Sequence, residues 1–288
     1  MYYNLLTQKR NPAYSRLKRL TKLLRNFIDV ERIYFSRHIG KPVNQGILTV
    51  IISEDSPHYW DDIYEYLWKV IASFPEFSIR IYNEEWLHEG IEEGCLFFIL
   101  HCRRNALIYS ETTHKFPRHK KINCKSVVKL AEKRLKEYTN ENQVMGRDLK
   151  YHLRNDNYTL ALYTLHQQLR NLYICTSWLV SGEWYVLQSL AEQGELLSRF
   201  TGLPQMLFSP DKEDDNDILE QLDKACDIIQ GRTNENQSIS KDAVNAASIK
   251  LELAVTEVKT LFANSIKRAQ EILKSGNNEK SGESGKSN

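Results

Sequence analysis

The sequence predicts an α+β domain followed by an all-α helical bundle. Three observations carry this. Runs rich in β-branched and aromatic residues are confined to the first 115 or so positions. After residue 125 the apolar residues recur only at helical spacing. Between the two stretches lies a basic, proline-containing segment, "HKFPRHKKINCK". The boundaries are accordingly a domain at 1–115, a basic linker at 116–124, a bundle at 125–274 and a disordered polar tail at 275–288.

In the first domain, "SRLKRLTKLLRNFI" sets Leu17, Leu20, Leu24 and Phe27/Ile28 on one side of a helix, with basic residues between them. "RIYFSR" and "GILTVIIS" read as strands. "SPHYWDDIYEYLWKVIASF" reads as a helix capped by Ser56, with Pro57 in the first turn and a stripe of Trp60, Ile63, Tyr64, Leu67 and Ile71. "FSIRIY" is a third strand, "EEWLHEGIEEG" a short helix or turn, and "CLFFILHC" with "ALIYS" reads as strand-like or buried.

In the second half, helices are expected at 125–139, 146–153, 157–181, 183–200, 212–231 and 240–274. Ser181-Gly182 separates the third from the fourth. In "SPDKEDD", Ser209 reads as the cap, followed by Pro210 and by acids suited to the positive end of a helix. Ser240 and Asp242 open the last helix, with a seam of Ala247, Leu251, Ala254, Val258 and Leu261. The helix at 157–181 has a seam of Tyr158, Leu162, Leu165, Leu169, Leu172, Thr176 and Leu179. His166 and Arg170 lie beside this seam, one turn apart, and are expected to face a groove or a partner. The helix is apolar all round, so a second surface must cover it, either the first domain or a second copy of the chain.

Composition narrows the function. The apolar fraction of 41% and charged fraction of 26% are globular values. No unbroken apolar run is long enough to span a membrane, and the N-terminal stretch lacks a signal-peptide pattern. The five cysteines match neither a zinc clip nor a redox pair, so reduced thiols in a cytoplasmic protein are expected. The net charge of +2 is unevenly spread. Lys9–Lys41 holds ten Lys/Arg against two acids, and Arg103–Lys136 eleven against two, whereas Gln205–Asp227 holds eight acids against two lysines. The basic stretches suit either a phosphate backbone or the solvated faces of helices.

The segment "NDNYTLALYTLHQQLRNLYICTSWLVSGE", with Ser189-Leu190 and Leu207-Phe208 after it, resembles HEPN domains over about residues 125–274. That resemblance implies an antiparallel helical bundle, commonly a homodimer, linked to nucleotides or RNA. Tyr158, Ala161, His166 and Gln167 carry the motif, and Arg170 stands near where many members have a glutamate.

The first domain resembles the minimal nucleotidyltransferase domain that often accompanies HEPN. The order of elements fits, as does "IYNEEWLHEGIEEGCLFFILHCRRNALIYS" as its closing segment. The resemblance implies a mixed sheet with helices. Transfer by such a domain needs a Gly-Ser turn for phosphates and three carboxylates for Mg²⁺. The turn falls near Phe35-Ser36-Arg37, without a glycine before Ser36. The paired acids fall near Asn44–Ile47 and the third near Ser78–Arg80, and no acid stands at any of these positions. Glu54 and Asp55 lie past the strand. The expectation is a degenerate, inactive domain that holds no metal and needs no cofactor.

Many HEPN proteins cleave RNA with a late Arg-x(4–6)-His motif completed across a dimer, in which histidine moves protons and arginine stabilises phosphate charge. Here the spacing occurs at Arg147–His152, before the anchored helix, and at Arg32–His38 in the first domain. The late position has Arg232, and no histidine follows His166. The sequence therefore points to a non-catalytic binding or regulatory protein, a homodimer whose ligand is a nucleotide, an RNA or a partner protein. Its candidate ligand-binding residues are His166, Arg170 and Arg232. Trp60, Trp86 and Trp184 are candidates to stack a base. The alternatives are a metal-independent ribonuclease using Arg147 and His152, and a structural protein–protein interaction module.

Overall fold

The computed structural model describes residues 5–6, 11–37, 46–53, 67–111, 124–233 and 239–283, with the backbone alone at 124–125 and 275–283. The expected cap at Ser56, the residues Pro57, Trp60, Ile63 and Tyr64, the acids Glu54 and Asp55, and His38, Asn44 and residues 116–123 of the linker lie outside these. The chain forms an α+β protein with a small mixed sheet near the N-terminus and helices after it. It divides into two compact units, Met1–Val128 with Arg268–Asn288, and Lys129–Lys267.

The first unit is built on a four-stranded sheet. Helix α1 (Tyr14–Phe27) leads to β1 (Val30–Arg37), which is antiparallel to β2 (Gly46–Ile52). A helical turn at 67–72 precedes β3 (Phe77–Asn83), which runs parallel to β2. Helices α2 (Glu84–Glu92) and α3 (Leu96–His101) follow, then β4 (Leu107–Ser110), antiparallel to β1. The sheet order is β3-β2-β1-β4.

Alternation along the strands sorts this sheet into two faces. Ile33, Leu48, Val50, Phe77 and Ile79 join the buried α1 residues Leu17, Leu20 and Leu24 in one apolar core. Gly46 is required here: a Cβ would lie 2.0 Å from the Phe35 ring. The other face sets Tyr34 opposite Thr49, and Thr49 opposite Arg80. Tyr82 packs its ring 5.1 Å from that of Phe98 on α3. β2 is buried along its whole length, which is why it reads as a continuous apolar run.

"CLFFILHC" is not a strand. It forms α3, whose six residues are all buried. A short run apolar on every side carries no period, so burial alone could not separate helix from strand.

The second unit is helical. Its elements are α4 (Cys124–Arg154), which begins in the first unit, α5 (Tyr158–Ser181), α6 (Leu190–Ser198), α7 (Leu203–Leu207), α8 (Glu213–Ile229) and α9 (Lys241–Glu283), which ends in the first unit. α5 is the centre: Leu162, Leu165, Leu169, Leu172, Thr176 and Leu179 are all buried. It packs chiefly on α8 and then on α6.

Four expectations change. The helices at 125–139 and 146–153 are one, α4, because Asn142 in the polar stretch between them is buried against α5. Gln168 Nε2 donates to the Asn142 carbonyl at 2.7 Å, and Asn142 Nδ2 donates to the Gln168 carbonyl. The helix at 183–200 begins only at Leu190, since Gly182 adopts a left-handed φ of 76° and the chain then runs irregularly to Ser189. Ser209 is not the cap of α8: the N-cap is Lys212, and Asp215 reaches back to accept from the Ser209 amide at 3.0 Å. The backbone of α9 continues as helix past 274, and its buried seam uses Phe262 where Leu261 is only half-buried.

The second face of α5 is covered around Trp178 from within its own unit, while Leu160 and Tyr163 stay half-buried. Arg134 of α4 lies 4.8 Å over the ring of Trp178, and Trp178 stacks 4.4 Å from Trp184.

Candidate functional site at His166, Asp223 and Cys226

His166 lies wholly buried on α5, so it does not face a groove. It sits on the side turned to α8, where Asp223 and Cys226 stand three residues apart and share a face. Its Nε2 lies 3.1 Å from Asp223 Oδ1, and its Nδ1 lies 3.1 Å from Gln167 Nε2.

Asp223 is the hub of the site. Its Oδ1 accepts from the Leu190 amide at 2.7 Å, and its Oδ2 from the Ser189 hydroxyl at 2.6 Å and the Ala191 amide at 3.3 Å. The carboxylate therefore caps the start of α6 from outside, where the orphan amides and the helix dipole favour a negative charge. Ser189 completes the cap by accepting from the Glu192 amide.

This geometry sets the charges. Burial pushes His166 towards the neutral form, but Asp223 and Cys226 together outweigh it and the imidazole pKa is raised. Burial likewise opposes ionisation of Asp223. Hydrogen bonds from His166, Ser189 and the Leu190 amide prevail and lower its pKa.

Cys226, one turn after Asp223 on α8, is buried. Its sulfur receives Gln167 Nε2 at 3.7 Å and Arg232 Nη2 at 3.6 Å. Arg232 arrives there because Gly231 takes a left-handed φ of 68° at the end of α8. The turn is closed by the Arg232 amide donating to the Asp227 carbonyl at 2.8 Å. The guanidinium also pairs with Asp227 at 2.7 Å.

The fold thus links His166 and Arg232 through Gln167, whose Nε2 lies 3.1 Å from the imidazole and 3.7 Å from the sulfur that Arg232 also reaches. Arg170 goes elsewhere: its Nε donates to the Leu187 carbonyl at 2.7 Å and holds the segment between α5 and α6. Arg147 is exposed near the end of α4 and His152 is half-buried. Five helical positions put them roughly 140° apart around the axis, so they do not converge within one chain. Trp184 is engaged by Trp178 and Arg134, whereas Trp86 is exposed.

Sequence reasoning missed Asp223, read Gln167 only as part of the motif and read Cys226 only as a buried thiol. One signal was present: a histidine inside an apolar helix needs a polar partner, and the nearest excess of acids is in α8.

In the first unit, the positions that transfer chemistry would use hold other groups. Ser36 is buried with its hydroxyl 2.7 Å from His101 Nδ1. Gly46 and Ile47 begin β2, and Ser78 to Arg80 lie in β3. Among the described residues, no three His, Cys, Asp or Glu side chains converge to hold a metal ion. A cavity of about 340 Å³ lies between α1 and the turn at 67–72, lined by Arg16, Arg19, Phe27, Lys69 and Phe74 among others. No protein-family model matches the chain, and no curated protein matches it significantly. Among the described residues, no helix is long and apolar enough to cross a membrane.

Proposed function

We propose that this chain is a non-catalytic binding or regulatory protein linked to nucleotides or RNA. Its first domain is a degenerate nucleotidyltransferase-like fold, its second a HEPN-like antiparallel bundle, and it works as a homodimer in the cytoplasm. The observation that supports this reading best is the donor set on the sheet. Where three carboxylates would have to meet, the strands carry Ile47, Thr49, Ser78 and Arg80, and the nearby hydroxyl of Ser36 is held by His101. The described strand residues at these positions offer no carboxylate to gather Mg²⁺ against a triphosphate.

The cavity beside α1 suits a binding role. It combines the cations Arg19 and Lys69 with the aromatic side chains Phe27 and Phe74, the pairing that takes phosphate and base together. Arg16 forms its wall, fixed by Glu76, by the Ser73 carbonyl at 3.0 Å and by the Phe74 ring. Exposed apolar residues suit the homodimer: Val144 and Tyr151 lie two turns apart on α4, and Ile249 and Leu253 one turn apart on α9.

Fluorescent single-stranded RNA and nucleotides, titrated with the full chain at low and at physiological salt, test this reading. The expected result is salt-sensitive binding weakened about tenfold by Arg19→Glu. Absence of binding at low salt overturns the nucleic-acid link, and Mg²⁺-dependent nucleotide transfer overturns the degenerate domain. Metal-independent cleavage lost in His152→Ala favours the ribonuclease instead. A monomer by light scattering removes the homodimer.

A further inference from the structure

We infer that helix α9 pairs with its own copy, antiparallel, along the face that it turns away from its bundle. The inference rests on the homodimer proposed above and names the surface that makes it.

Apolar residues stand on both sides of α9. Ala247, Ala254 and Val258 are buried in the helical unit. On the opposite side, Ile249 is 66% exposed and Leu253 39%, and Thr256 and Thr260 are exposed with them. These four step by four, three and four, which is the seam a second helix would read. The threonine hydroxyls are spent within the helix. Thr256 donates to the Glu252 carbonyl at 3.0 Å, and Thr260 to the Thr256 carbonyl at 2.9 Å. Each threonine is left with a methyl group to offer. The seam runs for roughly 16 Å along the helix. On α4 the exposed Val144 and Tyr151 also lie in line, but Arg147 and Asp148, both exposed, stand on the turn between them.

Charge selects both the occupant and its direction. Glu252 and Lys259 lie along one flank of the seam, and Lys250 and Glu257 along the other. In a parallel pair each flank meets the opposite flank of the partner. Glu252 would then meet the partner's Glu257, and the two repel. In an antiparallel pair about a twofold axis, each flank meets its own copy. Leu253 then faces the partner's Thr256, and Ile249 faces the partner's Thr260. Glu252 lies beside the partner's Lys259, and Lys250 beside the partner's Glu257. Every one of these flanking contacts joins opposite charges. Lys250 is already held by Asp215 at 2.5 Å, so Glu252 and Lys259, both exposed, carry the selection. A seam this short suits a weak, concentration-dependent dimer rather than a permanent one.

Sedimentation of the full chain over a range of concentrations tests this, together with zero-length carbodiimide cross-linking of a mixture of isotope-labelled and unlabelled chains. The expected result is a concentration-dependent dimer, with an amide joining Glu252 of one chain to Lys259 of the other. Ile249→Glu should weaken the dimer at least about tenfold, by placing a charge in the seam. Glu252→Lys and Lys259→Glu should each weaken it about fivefold, and the two together should restore it. All three positions are exposed in the single chain, so the variants keep the fold. A dimer that is indifferent to Ile249→Glu and gives no such cross-link overturns the α9 seam and leaves the homodimer standing. Single swaps that weaken the dimer without rescue in the double variant overturn the antiparallel pairing. A chain that stays monomeric at every concentration overturns the homodimer and this seam with it.

Discussion

Asp223 and His166 are 57 residues apart in sequence and joined by a hydrogen bond of 3.1 Å, with the imidazole wholly buried. Through the same carboxylate, the bond ties the central helix to the first amides of α6. A single acid thus holds three helices, and its loss or neutralisation has effects that can be measured.

The pair makes stability depend on pH in a defined sense. The His166 pKa is raised on folding, so its contribution is complete below the unfolded value of about 6.5 and is lost as pH rises through the folded value. The Asp223 pKa is lowered, so its contribution is present above the unfolded value of about 3.9 and is lost as pH falls through the folded value. The stability difference between the natural chain and His166→Gln, from urea unfolding, should be largest near pH 5 to 6 and shrink above about pH 7. A difference that is flat over that range would count against the ion pair.

Asp223→Ala should cost about 3 to 5 kcal/mol, because it leaves a buried imidazole and helix amides without their acceptor. Ser189→Ala removes one cap bond and should cost about 1 kcal/mol. Chemical denaturation at pH 6 measures both, and the order of the two values is the critical outcome.

Gly46→Ala should cost about 1 to 3 kcal/mol by forcing the Phe35 ring from its place. Phe35 also packs edge-on to Phe77 at 5.8 Å, so the strain reaches the core under α1. Phe35→Leu introduced with Gly46→Ala should recover part of the loss in a thermal melt. Strictly additive costs would show that the ring is not the obstacle.

Arg170→Lys should not substitute for arginine, since the bond to the Leu187 carbonyl uses Nε. The expected cost is about 1 to 2 kcal/mol, with faster protease cleavage between Gly182 and Ser189. Unchanged cleavage there would remove Arg170 from its role in holding that segment.

Much of the fold was legible in the order of residues. Strand and helix types along β1 to β3, α1 and α5 follow from periods of two and 3.6. The cap at Ser240, which accepts from the Ala243 amide at 3.1 Å, was visible as local chemistry. Where apolar residues run unbroken, as in α3, no period was available to read. The polar stretch around Asn142 suggested a break because its partner, Gln168, belongs to another helix.

The site divides along the same line. The sequence by itself determined that α5 is a buried helix and that His166 stands beside its seam, because both depend on spacing within one helix. Only the tertiary structure decided what His166 and Arg232 touch. Their partners Asp223 and Cys226 lie on α8, and no local pattern records a hydrogen bond between segments so far apart. The tertiary structure also sent Arg170 to a loop carbonyl, since its reach is set by where the chain passes after Gly182. Side-chain type and spacing fix the chemistry a residue can offer, and chain packing fixes the partner that receives it.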